Sequence, residues 1–189
     1  MEKTEKQDGL DHLKAARALL TRSCLVTFNG NLIEARSQDE FEADHPQKMD
    51  PEYGRLMCWI LFAVGSEYLI KGVLMAKYTG VRTVMVIQAT GEVKYPNLDP
   101  ALTKVQGLKL MFTPANGSPT NIGQFLKTTL KIIRDRDVHY YAQDKRKQDH
   151  SKVPDIAAAL SSLLSLTTAP GPHTSQSPDP ASESSSHGQ

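Results

Sequence analysis

Between Asp50 and Tyr78 the chain carries a run patterned as one long helix, and that helix has little polar surface to offer water. Asp50 supplies an N-cap oxygen, Pro51 fits the first helical position, and Glu52 complements the positive end of the helix dipole. Gly80 provides the stop. Tyr53, Met57, Ile60, Val64, Glu67, Lys71, Leu74 and Tyr78 recur in threes and fours and share one face, read as a buried stripe. Trp59, Phe62, Leu69, Ile70 and Val73 occupy the other faces. A helix apolar on most sides belongs at the centre of a core or is shared with a second subunit.

The remaining elements must arrange themselves around it. A first helix is expected from about Gly9 to Phe28, with Leu10, Leu13, Ala16, Leu20 and Cys24 at helical spacing and Asn29-Gly30-Asn31 ending it. Residues 34–49 are acidic and weakly patterned and read as a loop. Asp99-Pro100 repeats the cap-and-proline start for a short helix to about Phe112, and Pro114 to Pro119 is a turn cluster. Thr120 then caps a long helix to about Gln143, and an amphipathic piece from Pro154 carries Ile156, Leu160, Leu163 and Leu164. Val81 to Tyr95 is β-branched and alternating around Thr90-Gly91, which leaves a short hairpin and an ordered loop both open. The pattern predicts an all-α, up-and-down bundle of four to five helices over 9–167, with that insertion near 81–95. From residue 168 to 189 the chain is Ser/Pro-rich and contains no Val, Leu, Ile, Phe, Tyr or Trp, so it is expected to be a disordered tail.

Charge and cysteine usage bound the function classes. A formal charge of +1 argues against a whole-protein electrostatic grip on nucleic acid or membrane, so any such binding must be local. The polar N-terminus reads as neither a signal nor a transit peptide, and the longest apolar run, Met57 to Gly65, is nine residues. Cytoplasmic residence without a membrane partner is the resulting expectation. Cys24 and Cys58 both sit in apolar, helix-patterned stretches and read as buried, reduced thiols. No Cys/His spacing suits zinc, so neither metal nor cofactor is expected.

The local basic region lies at the end of the last long helix. Between Lys127 and Lys152 stand eight Lys or Arg and four Asp, a balance of +4 against +1 for the whole chain. Such a surface beside a titratable His and two Tyr suits a phosphate-bearing substrate. A solvated helix end, with cations favoured by the dipole, explains the charge equally well.

Within it, Arg134-Asp135-Arg136-Asp137-Val138-His139-Tyr140-Tyr141 sets an Arg, an adjacent polar residue, a His and a Tyr at fixed spacing. This resembles the signature of the HEPN (higher eukaryotes and prokaryotes nucleotide-binding) family in the branch written R-x(4–6)-H-x-Y. Glu67 and Lys71, within GSEYLIKG, resemble the Glu-x-x-x-Lys pattern of the same family. An Arg-x(4–6)-His spacing alone is expected by chance about 0.75 times in a chain of this composition. Requiring an adjacent Asp or Asn and the placed Tyr lowers that below about 0.01.

The resemblance implies a HEPN-like helical bundle and a metal-independent endoribonuclease in which the ribose 2′-OH attacks the adjacent phosphorus. Imidazole suits proton transfer near neutrality, which makes His139 the general acid or base. Arg134 stays charged and offers a fork of donors to phosphate oxygens. Asp135, four residues before His139, shares its helical face and can orient the ring. Tyr141, Arg136 and Lys131 are the expected RNA contacts, with Tyr141 also a hydroxyl that a nucleotidyltransferase-type antitoxin could modify. Glu67 and Lys71 are read either as a plain intrahelical ion pair or as support for Arg134 from behind.

Positions 134 and 139 lie about 140° apart around a regular helix. Either the helix is distorted there or a two-fold axis completes the site, so a homodimer is expected. The implied role is the toxin of a toxin–antitoxin or phage-defence pair. The alternative is a non-catalytic HEPN-like module that binds nucleotide or a protein partner. A plain helical bundle with a coincidental motif is the third reading. Two departures from the family pattern stand out: Asp135 replaces the commoner Asn, and the 81–95 insertion lies outside the minimal helical unit.

Overall fold

The computed structural model describes residues 4–44, 51–78, 86–87, 93–94, 98–133 and 150–168. In chain order these form α1 (Glu5–Arg22), β1 (Val26–Asn29), β2 (Leu32–Ala35), α2 (Gln38–Asp44), α3 (Pro51–Lys77), β3 (Val86–Ile87) and β4 (Val93–Lys94). They continue with α4 (Leu98–Gly107), β5 (Met111–Phe112), β6 (Thr120–Asn121), α5 (Ile122–Ile132), a 3-10 turn at His150–Lys152, and α6 (Val153–Ser165). Among the described residues the fold is mainly α, with three two-stranded antiparallel sheets rather than helices alone.

Small residues decide how α1 and α3 meet. Gly65 and Gly72 stand seven apart on α3 and so share a face, and Gly9 faces them from α1. A β-carbon on Gly9 would lie 2.5 Å from the Ala76 nitrogen, and one on Gly72 would lie 3.0 Å from the Gly9 oxygen. One on Gly65 would lie 2.9 Å from Leu20 Cγ. The two helices therefore run antiparallel, with backbone close to backbone at the start of α1. Such an approach gains dispersion contacts at no side-chain entropy cost.

The core continues from this seam. Cys58, Trp59, Phe62, Leu69, Ile70, Val73 and Leu74 of α3 are buried, with Trp59 and Phe62 edge-to-face at 6.1 Å. On the far side, α6 buries Ile156, Leu160, Leu163 and Leu164, as the periodicity predicts. The pair α4 and α5 supplies Leu98, Leu102, Val105, Ile122, Leu126 and Leu130. By length and composition α3 could cross a bilayer, yet more than half of its most apolar stretch is buried within the protein.

Several sequence expectations need correction. The first helix ends at Arg22, not near Phe28. Ser23 accepts from the Leu25 amide at 3.2 Å and donates to the Leu20 carbonyl at 2.6 Å, and Cys24 takes a left-handed φ of 58°. The chain thus leaves the helix and enters β1, which pairs with β2 in register from Val26↔Ala35 to Asn29↔Leu32 across Gly30. The 34–49 loop is instead the end of β2 followed by α2. A capping box starts α2, in which Ser37 N donates to Glu40 Oε2 at 2.7 Å and Glu40 N to Ser37 Oγ at 3.2 Å. The Ser37 amide, and the Ser37 hydroxyl donating to the same oxygen at 2.8 Å, hold the Glu40 carboxyl below its ordinary pKa.

The third predicted helix stops at Gly107 rather than near Phe112, because Lys109 adopts a left-handed φ of 54° and the chain turns into β5. Asn121, not Thr120, caps α5, its side chain accepting from the Gln124 amide. Within 81–95 the structure describes β3 and β4, paired Val86↔Lys94 and Ile87↔Val93, which gives the hairpin reading. The expected tail beyond residue 168 lies outside the described residues.

One long-range contact ties the N-terminal hairpin to the last helix. The buried Ser161 hydroxyl accepts from the Ile33 amide at 2.8 Å and donates to the Ile33 carbonyl at 3.1 Å. A side chain of α6 thereby does for β2 what a third strand would do. Ser161→Ala should cost about 1–3 kcal/mol in urea unfolding, since it orphans a buried amide and carbonyl together.

A paired substitution checks the helix seam. Gly9→Ala should destabilise by about 1–3 kcal/mol despite alanine's better helix propensity, because the new methyl meets α3 backbone. Gly107→Ala meets no atom within 4 Å and should be neutral or stabilising in the same assay.

Candidate functional site

The described part of the candidate site is the outward face of α3. Glu67 and Lys71, one turn apart, are joined by an ion pair of 2.5 Å between Oε1 and Nζ. Each side chain retains only 14% of its exposure. They stand on the stripe that the sequence presents as buried, and here the structure reverses the reading. Tyr53 is 51% exposed and Val64 38%, with Met57, Ile60, Glu67 and Lys71 half-buried between them. Only Leu74 of that stripe is fully buried. The inward faces are those of Cys58, Gly65 and Gly72, and of Phe62, Ser66, Leu69 and Val73.

The physical reason is that α3 is apolar all round, so its periodicity cannot say which face turns inward. Steric access decides, and the small residues Gly65 and Gly72 admit α1 on their side. Glu67 and Lys71 are left at the rim, where long side chains can bury their stems and pair their charges.

A second feature at this rim was not read from the sequence. His12 of α1 stacks on Tyr68 of α3, with ring centroids 5.0 Å apart and 25° between planes. The His12 Nδ1 lies 2.9 Å from the Asp8 carbonyl oxygen, which fixes the ring from its own helix. No spacing rule finds this pair, because it depends on the antiparallel register of α1 against α3. Tyr68, against which the His12 imidazole of α1 stacks, directly follows Glu67 on α3.

The last long helix is described through α5 and Ile133. Ile122, Leu126, Leu130 and Ile133 face inward, while Thr129 is half-buried. Phe125 and Phe112 meet edge-to-face at 4.8 Å, tying α5 to the β5–β6 hairpin. The helix packs on α4 and α6, which in turn pack on α3. Lys131 stands in the last turn of α5. Arg134, Asp135, Arg136, His139 and Tyr141 lie outside the described residues, as does the predicted helical continuation to Gln143. Of the expected site the structure thus brings together Glu67 and Lys71 alone.

Among the described residues no group of three or more His, Cys, Asp or Glu is placed to hold a metal ion. No protein-family model, curated protein or solved structure matches this chain.

The ion pair can be weighed by a double-mutant cycle. Glu67→Ala should cost about 1–2 kcal/mol, because it removes the partner of the largely covered Lys71 ammonium, and Lys71→Ala should also destabilise. The double variant should cost clearly less than the two losses added together, read by guanidinium unfolding.

Proposed function

We propose that this chain is a HEPN-type, metal-independent endoribonuclease with a HEPN-like bundle fold. The observation that carries the reading is the run Arg134-Asp135-x3-His139-x-Tyr141, which follows directly on α5. Support comes from the mainly helical fold and from the half-buried Glu67–Lys71 pair on the longest helix. In this reading His139 takes the proton of the ribose 2′-OH as the oxygen attacks the adjacent phosphorus. Arg134 stabilises the charge developing on the phosphoryl oxygens, and Asp135 orients the imidazole. The 5′-oxygen leaves with a proton, so the products are a 2′,3′-cyclic phosphate and a 5′-hydroxyl. Tyr141, Arg136 and Lys131 hold the RNA, and Glu67 with Lys71 supports Arg134 from behind.

The site works as a homodimer in this proposal, with two copies of the motif lining one cleft. The exposed apolar residues Tyr53 and Val64 of α3 give a second copy something to cover. The role that fits is an intracellular toxin acting on RNA in the cytoplasm, in a toxin–antitoxin or phage-defence pair. Modification of the Tyr141 hydroxyl by a nucleotidyltransferase partner would restrain it.

One observation favours a second reading, a non-catalytic HEPN-like module that binds nucleotide or a protein partner. Asp135 puts a negative charge beside Arg134, where a phosphate would approach.

The two readings part in an assay in EDTA with end-labelled RNA. The wild type should generate 5′-hydroxyl ends, and His139→Ala and Arg134→Ala should each lose at least about 100-fold in rate while remaining folded. RNA or nucleotide bound without cleavage by the wild type would establish the binding module instead. Cleavage by a strict monomer in light scattering would remove the shared-cleft arrangement.

A further inference from the structure

Where α3 turns away from the core it remains apolar. Tyr53, Met57, Ile60, Leu61, Val64 and Tyr68 all keep exposure to solvent, the three largest shares being 51% at Tyr53, 38% at Val64 and 37% at Tyr68. On a regular helix these six fall within about 100° of arc and run for about 22 Å, so they make one continuous face. Half-buried Leu56, beside Met57, widens it on one flank. The face carries little net field, because Glu67 and Lys71 at its edge neutralise each other and Arg55 is drawn to Glu42 of α2.

Along the helix these residues read the same way in both directions. Tyr53 and Tyr68, Met57 and Val64, and Ile60 and Leu61 stand symmetrically about the midpoint between positions 60 and 61. A two-fold contact between identical chains sets each residue against its mirror position and so requires a self-complementary order of this kind. A bilayer or an unrelated protein imposes no such symmetry. Crossing a bilayer would also take Trp59, Phe62 and Ile70 out of the core.

We propose that a second copy of this chain covers the face, its α3 lying antiparallel to the first on a two-fold axis between Ile60 and Leu61. Tyr53 then meets the partner's Tyr68, whose ring is already backed by the His12 imidazole with centroids 5.0 Å apart. Met57 meets the partner's Val64, and Ile60 meets the partner's Leu61. Aromatic anchors at both ends with aliphatic side chains between them have the composition of an interface core. One helix face of this length covers roughly 450 Å² per copy, or about 900 Å² for the pair, at the small end of specific interfaces. The dimer is accordingly a weak one, dissociating at about 1–100 μM. It supplies the surface for the homodimer in the reading above, but assembly is measured without RNA, so either can fail alone.

The test is sedimentation velocity on the full chain from about 1 to 300 μM, which should show a reversible monomer–dimer equilibrium. Val64→Asp and Met57→Lys should each raise the dissociation constant at least about tenfold, because each sets a charge against an apolar side chain. Tyr53→Ser, at the most exposed position of the face, should weaken the dimer about three- to tenfold with an unchanged circular dichroism spectrum. Mixing the Val64→Asp chain with the Met57→Lys chain should restore a dimer containing one of each, since the antiparallel register places position 64 against position 57. A chain that stays monomeric throughout, or a dimer that none of these substitutions weakens, would overturn the proposal. Folded, monomeric variants that fail to pair on mixing would overturn the antiparallel two-fold.

Discussion

Everything in this fold is referred to the line along which α1 lies on α3. Gly9, Gly65 and Gly72 remove the side chains that would hold two helices at their ordinary separation, and the backbones close the gap. Contact at that distance is gained all along the seam and leaves no room for compromise on register. The register in turn sets which face of α3 looks outward, and so where Glu67, Lys71 and Tyr68 stand. The same line brings His12 over Tyr68.

What the sequence shows depends on how local each determinant is. The start of α3 at Pro51 and the inward set on α6 were legible because capping chemistry and periodicity act within a few residues. The β1–β2 hairpin was not, because it needs three things no window contains. Ser23 must close the helix end, Cys24 must accept a left-handed backbone, and Ser161, 128 residues from Ile33, must complete the strand edge. Periodicity groups Glu67 and Lys71 on one face of α3 but cannot tell that this face lies at the rim, where the structure leaves it. In a helix that is apolar all round, the informative positions are the small ones, and Cys58-Gly65-Gly72 marks the inner face better than any hydrophobic residue does. Of the candidate site, the Arg134–His139–Tyr141 run is legible only as a spacing of residue types, whereas the Glu67–Lys71 pair is legible in both sequence and structure.

The ion pairs show how charge is distributed around so apolar a helix. Arg55 of α3 reaches Glu42 of α2 at 2.5 Å, and Arg36 at the end of β2 reaches Asp44 at the same distance. These pairs have at least one well-exposed member, and water screens them. Glu67 and Lys71 are the contrasting case, with both members largely covered. A charge held in that way keeps its field where the solvent does not dilute it, which is what a supporting position beside a phosphate site would require.

The pairing of Ser161 with Ile33 also imposes an order of events. During synthesis β1 and β2 emerge early, and the helix that closes the β2 edge emerges more than a hundred residues later. Until then the Ile33 amide and carbonyl face water or whatever strand comes near, so the hairpin is open to wrong pairing. Completion of α6 is therefore the step that commits the N-terminal hairpin to this chain rather than to a neighbour.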